Sequence, residues 1–214
     1  MAADALALRS GAVAAAIRDV RLIAVLRRIT PRERLLSLVD ELVADGVRIL
    51  EITFDIDDAM ADLAAVRASV GDGAWVGAGT IRTTGHLNAA IDGGAVFGVG
   101  PVLDHEILDA ALAADLPFVP GAYSPTEIDL AWRSGATFVK LFPGSSLGPS
   151  HVRELRGPLP EVETIVTGGV DASNATAFLD AGAVAVGIGS ALMRMSPAER
   201  SDLVAAIAGA GPHR

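Results

Sequence analysis

The sequence contains no cysteine, which removes every disulfide framework and every thiolate metal site, and agrees with a reducing, cytoplasmic setting. Positive charge is in deficit: 17 lysines and arginines stand against 26 aspartates and glutamates, giving a net charge of −9 and a pI near 4.8. That balance argues against a nucleic-acid or anionic-membrane surface. It leaves a local cationic pocket as the place where an anionic metabolite would bind. Long apolar runs are missing too. Although 51% of the residues are hydrophobic, the longest relevant uncharged run, Ala181 to Met193, falls short of the roughly 18 residues of a membrane helix and is interrupted by glycines. The alanine-rich stretch Ala5 to Ile17 is preceded by Asp4 and broken by Arg9, the wrong order for a secretory signal, and reads as a short helix before the first strand. Lysine is nearly absent as well: Lys140 is the only one, against 16 arginines.

What is there is a single rhythm repeated along the chain: an apolar strand, a turn of small and polar residues, then a helical stretch. The strands are expected at Leu22–Leu26, Val47–Phe54, Ala74–Thr80, Ala95–Val99, Pro117–Pro120, Ala136–Phe142, Glu163–Thr167 and Ala183–Ile188. Between them lie helical patterns such as Leu35, Leu36, Leu38, Val39, Leu42 and Val43, where Pro31 is expected in the first turn behind a Thr30 cap. Strands buried on both faces and joined by crossover helices form a parallel sheet. Eight such units in 214 residues point to a closed (β/α)8 TIM barrel of the α/β class. With no linker or low-complexity tract, residues 1–214 are expected as one domain: an N-terminal helix over 1–20, the barrel core over 21–193 and a C-terminal helix over 194–214.

In such a barrel the site lies at the C-terminal ends of the strands. Lys140 sits in the apolar run Ala136–Phe142, where burial of an ammonium is costly; desolvation lowers an amine pKa, and the neutral amine is the species that attacks a ketone to form a Schiff base. The alternative is a lysine whose head snorkels to solvent. Alternation along the second strand places Glu51 on the same face as Ile49 and Thr53, so that it is either a buried proton carrier or the partner of a structural ion pair with Lys140 or Arg27. Arg27 ends the first strand, and Thr80 closes Gly77-Ala78-Gly79-Thr80, where the glycines are expected to let a ligand approach the backbone. Strands seven and eight end in Thr167-Gly168-Gly169 and Gly187-Ile188-Gly189-Ser190, the place and composition of a phosphate cradle.

Three other patterns carry less. Gly144-Ser145-Ser146-Leu147-Gly148 fits a nucleophile elbow, but the histidine in the required order is His213, next to the C-terminus. Asp55, Asp57 and Asp58 follow the second strand and read as N-terminal caps of the next helix. His86, His105 and His151 have no ligand spacing that would join those aspartates in a metal site, so none is expected.

Five motifs in order carry a resemblance: Leu50-Glu51-Ile52-Thr53, Gly77-Ala78-Gly79-Thr80, Phe138-Val139-Lys140-Leu141-Phe142-Pro143, Thr167-Gly168-Gly169-Val170 and Gly187-Ile188-Gly189-Ser190-Ala191-Leu192. From about Leu22 to Met193 the chain resembles the class I 2-keto-3-deoxy-6-phosphogluconate and 4-hydroxy-2-oxoglutarate aldolases, including their 2-keto-3-deoxy-6-phosphogalactonate branch. The resemblance implies a trimeric barrel that needs no cofactor and cleaves a phosphorylated keto acid to pyruvate and glyceraldehyde 3-phosphate. It implies Lys140 as Schiff-base lysine and Glu51 as proton shuttle, Thr80 at the substrate carboxylate, and the Thr167, Gly168, Gly169, Gly189 and Ser190 segments at the phosphate end. The sequence departs from the pattern twice. Asp55 replaces an arginine that grips the carboxylate four residues after the glutamate, which moves that role to Arg27, and Val166 replaces a common proline. Other phosphate-binding barrels, such as epimerases and thiamine-phosphate synthases, share the cradle without the lysine, and a non-catalytic assembling barrel is the reading from outside enzymology. The mean hydropathy of +0.45 supplies apolar surface for the latter.

Overall fold

Period-two apolar alternation and helical apolar stripes sort this chain into alternating strands and helices. The computed structural model describes residues 2–210, with side chains from residue 11 onward. The strands are β1 (Leu22–Leu26), β2 (Ile49–Thr53), β3 (Trp75–Gly79), β4 (Gly98–Val99), β5 (Phe118–Val119), β6 (Gly121–Ala122), β7 (Val139–Leu141), β8 (Thr164–Thr167) and β9 (Ala185–Ile188). The helices are α1 (Ala2–Val20), α2 (Arg32–Ala44), α3 (Ala59–Val70), α4 (Thr84–Asp92), α5 (His105–Ala113), α6 (Pro125–Arg133), α7 (Gly144–Leu155), α8 (Ala175–Asp180), α9 (Ser190–Met193) and α10 (Pro197–Gly209).

All strand pairs are parallel, in the order β5-β4-β3-β2-β1-β9-β8-β7-β6. The fifth expected strand, Pro117–Pro120, is β5, and just past Pro120 comes a further short strand, β6, that was not expected. Proline has no N–H to give to a ladder, so the segment changes partner there: Val119 accepts from Gly100 on the β4 side at 3.0 Å, while the Pro120 carbonyl accepts from Lys140 on the β7 side at 2.9 Å. The short segment therefore touches both ends of the sheet and closes the barrel, the expected TIM-type fold. Expected strands that are longer than their ladders, such as Ala95–Val99, still carry flanking bonds, including Val96 N–H to Val76 at 3.0 Å.

Alternation on these strands builds two cores. Outward-facing Leu22, Ala24, Leu26, Leu50, Ile52, Val76, Val139, Leu141, Val166 and Val186 pack under the helices. Inward-facing Ile23, Ile49, Phe97, Val119, Phe138, Ile165 and Ala185 fill the barrel, and α1 covers that core with the fully buried Val13 and Ile17. The interior is thus an apolar floor, and polar side chains enter it only near the C-terminal strand ends. At the other terminus, Arg200 of α10 is buried and bonds Asp45, the Met195 carbonyl and Glu41, tying the last helix to α2.

Two capping expectations are corrected. Pro31, not Thr30, is the N-cap of α2, in extended backbone, and its carbonyl receives the Arg34 and Leu35 amides; no side chain caps this helix. The N-cap of α3 is Asp58, likewise without a side-chain bond, and Asp55 faces arginines instead. His213 lies outside the described residues, as does the end of the expected C-terminal helix, residues 211–214. Among the described residues no helix is long and apolar enough to cross a membrane.

Candidate active site

Two strands on opposite sides of the barrel bring its least affordable side chains to one place. Glu51 lies in β2 between Val25 and Gly77, and Lys140 lies in β7 between Gly121 and Ile165. Both are buried, at 2% and 7% exposure, yet both line one cleft of about 1220 Å³ at the C-terminal mouth. Burial pushes the Glu51 carboxyl above its ordinary range, and the cationic Lys140 and Arg27 pull against that rise. Burial pushes the Lys140 amine down; Glu51 opposes this and Arg27 adds to it. Burial thus shifts the amine toward its neutral form and the carboxyl toward its protonated form. Such a pair can add to a carbonyl and move the protons that the addition requires.

Lys140 also has an aromatic neighbour. Its Nζ lies 5.0 Å from the centroid of the Phe142 ring, within cation–π range, and Phe142 is 40% exposed at the cleft wall. The signal was the i, i+2 spacing in extended chain, Phe142 following β7 directly, which puts both side chains on one face.

The glycines of Gly77-Ala78-Gly79-Thr80 make room for Glu51 and the core. A Cβ on Gly79 would come within 1.8 Å of Glu51 Oε1, and one on Gly77 within 2.5 Å of the Phe97 ring. Gly79→Ala is therefore expected to drive the Glu51 carboxyl from its place, at a cost of about 1–3 kcal/mol for overpacking. Thermal unfolding together with steady-state kinetics checks this: turnover falls at least as steeply as stability, whereas unchanged kinetics would mean that Glu51 has no fixed role.

Thr80 does not line the cleft. It stands behind Arg27, accepting a hydrogen bond from the guanidinium at 3.2 Å, with its backbone in the left-handed region at φ 58. For a β-branched residue that conformation costs on the order of 1–3 kcal/mol and persists where the surroundings enforce it. The other guanidinium nitrogen of Arg27 meets Asp55 at 3.4 Å, and Asp55 also pairs with Arg28 at 2.9 Å. Burial alone would raise the Asp55 carboxyl; the Thr53 hydroxyl, donating at 2.7 Å, and the two arginines outweigh it and hold it below the usual carboxylate range.

Next to this group, on the other side of β1, the last two strands open into the glycine segments. Gly168 and Gly169 have φ of 83° and 79°, and added Cβ atoms would meet the Phe142 ring at 2.9 Å and Ser145 Cβ at 2.4 Å. The Gly168 carbonyl accepts from the Ser145 amide at 2.8 Å and the Gly169 carbonyl from the Asn174 side chain at 3.0 Å, so the turn is fastened from both sides. Thr167, Gly168, Gly169, Gly189 and Ser190 all line the cleft, as do Arg27, Glu51 and Lys140. Of the nine expected site residues only Thr80 is set back. Val166 faces the helix layer, where an added Cβ on Gly144 would lie 2.6 Å from its Cγ1, so the replaced proline touches packing and not the cleft.

The chain as a whole is similar to known proteins. The family model "KDPG and KHG aldolase" matches residues 13–208. The 2-dehydro-3-deoxy-6-phosphogalactonate aldolase of Escherichia coli K12 is 32% identical over 174 residues, 81% of this chain and 84% of that protein. The 2-dehydro-3-deoxy-phosphogluconate aldolase of Pseudomonas aeruginosa is 34% identical over 165 residues, 76% and 73% of the two chains. Among solved structures, a KDPG aldolase from Legionella pneumophila, with pyruvate captured at low pH as a covalent carbinolamine intermediate, superposes with a TM-score of 0.78 at 27% identity, covering 92% of this chain and 95% of that one. The barrel, the polar cluster at its C-terminal mouth and these matches together place the chain in the KDPG and KHG aldolase family, whose named members are lyases of carbon–carbon bonds.

Proposed function

We propose that this protein is a class I aldolase that cleaves 2-keto-3-deoxy-6-phosphogluconate or a close analogue through a Schiff base on Lys140. The observation that carries the reading is the burial of the single lysine at the wall of a cleft that a buried carboxyl, Glu51, also lines.

The Lys140 amine adds to the C2 ketone of the keto acid, and loss of water from the carbinolamine leaves an iminium. Glu51 gives and takes the protons of that exchange, then accepts the proton of the C4 hydroxyl. The C3–C4 bond breaks, its electron pair flows into the iminium to make an enamine, and the C4 fragment leaves as an aldehyde, glyceraldehyde 3-phosphate for a phosphorylated substrate. Protonation of the enamine at C3 and hydrolysis of the new iminium release pyruvate and the amine. Arg27 holds the carboxylate, with Thr80 behind it. The Thr167, Gly168, Gly169, Gly189 and Ser190 segments hold the phosphate, their amides donating to it.

The assembly we propose is a cytoplasmic homotrimer, as the family resemblance implies. Val102 and Tyr123 support an oligomer: they are 58% and 47% exposed on loops that meet where Gly121 lies against Pro101, apolar surface that a second copy would cover.

The choice among the gluconate-derived substrate, its galactonate-derived C4 epimer and 4-hydroxy-2-oxoglutarate is tested by comparing kcat/KM for the three. The cradle leads to the expectation that both phosphorylated acids exceed 4-hydroxy-2-oxoglutarate by at least about tenfold, the effect of losing charge-assisted hydrogen bonds. Equal values for all three would remove the phosphate role of the glycine segments.

A further inference from the structure

Arg27 stands just past the end of β1 with 55% of its side chain exposed, and a long cationic side chain in that position has many rotamers open to it. Two contacts remove that freedom. One guanidinium nitrogen donates to Thr80 beyond β3, and the other faces Asp55 beyond β2. Asp55 is itself fixed: its side chain is 13% exposed, Oδ1 accepts from Thr53 at 2.7 Å, and Oδ2 takes Arg28 at 2.9 Å. Arg28 in turn holds its backbone at φ 51, a left-handed conformation that an arginine adopts only under constraint. The loops after β1, β2 and β3 are thus joined by one carboxylate and two guanidiniums. The three charges sum to one net positive charge, the complement of a single carboxylate.

We infer that Asp55 is a positioning residue for substrate: by pairing with Arg27 and Arg28 it orients Arg27 over the cleft and sets the group's charge to receive the monoanionic carboxylate of pyruvate and of the keto acid. It does not touch the reacting atoms. Its effect passes through Arg27, the cation whose charge both Glu51 and Lys140 feel. The inference rests on the reading of Arg27 as the carboxylate clamp.

The test is a double-mutant cycle read by the pyruvate dependence of borohydride inactivation, which separates binding from the reactivity of the amine. Arg27→Gln is expected to raise the half-saturating pyruvate concentration by about tenfold or more. Asp55→Ala should raise it by a similar factor, leave the inactivation rate at saturating pyruvate within about threefold, and add less than about twofold in the Arg27→Gln background. Asp55→Asn, which keeps the shape and can still accept from Thr53, should move in the same direction and serves if the alanine variant does not fold. Unchanged half-saturation in both Asp55 variants, beside a raised value in Arg27→Gln, would overturn the positioning role and leave the clamp standing. Fully additive effects would show that Asp55 acts by another route. No change in Arg27→Gln itself would overturn clamp and positioning together.

Discussion

Lys140→Met is expected to lose aldol cleavage by about 10⁴-fold or more, the size of loss seen when the nucleophile of a covalent mechanism is removed. The fold should survive. Methionine fills a similar volume, and Glu51, already pushed upward by burial, loses the cationic Lys140 and takes up a proton instead of remaining a bare buried anion. The expected shift in stability is within about 2 kcal/mol in either direction, a few degrees of Tm for a chain of this size. Single-turnover kinetics and thermal unfolding on the same preparation check both halves. A variant that unfolds would say that the lysine is structural, and one that keeps more than about a tenth of the activity would say that the amine is not the nucleophile.

Glu51→Gln is expected to lower kcat by about 10²–10⁴-fold, the range of a general acid–base group, with a much smaller change in KM. A neutral amide keeps the volume beside Gly79 but cannot carry the C4 hydroxyl proton. It should also move the pH profile. The Glu51 charge raises the Lys140 pKa against the lowering by burial and Arg27, so its removal lets that pKa fall further. Activity is lost at low pH as the amine protonates, and a lower pKa carries that limb to lower pH. The acid limb of the residual activity in Glu51→Gln should therefore lie below that of the wild type. A limb displaced to higher pH would contradict the electrostatic coupling, and a change confined to KM would contradict the proton-transfer role.

Much of this molecule is legible in its sequence because its determinants are local. Alternation in Val47–Phe54 placed Ile49 and Glu51 on one face, and in the structure Ile49 belongs to the barrel floor while Glu51 lines the cleft above it. The change of partner after the fifth expected strand was half legible. Pro120 cannot donate to a ladder, but that its two sides pair with strands from opposite ends of the sheet follows only from closure. Asp55 was read as a helix cap because its sequence neighbours suit one. Its true partners, Arg27 and Arg28, come from another strand end, and no local pattern marks a pairing across 27 or 28 positions. The glycines before Thr80 were legible as a need for space and not as to whose: the space belongs to Glu51 and Phe97, which the parallel register brings in from neighbouring strands. Phe142 was within reach, since it shares a face of extended chain with Lys140, yet an aromatic residue beside a lysine has a sequence signal no different from ordinary packing.

The central claim is that the single lysine is a nucleophile toward a 2-oxo acid, and the most direct measurement is reduction in the presence of pyruvate. Treatment of the wild-type protein with pyruvate and borohydride, followed by intact mass and peptide mapping, is predicted to show irreversible inactivation with one pyruvate-derived adduct on the peptide that carries Lys140, and no adduct in Lys140→Met. An intact, fully active protein after the same treatment, or an adduct located elsewhere on the chain, would contradict the account.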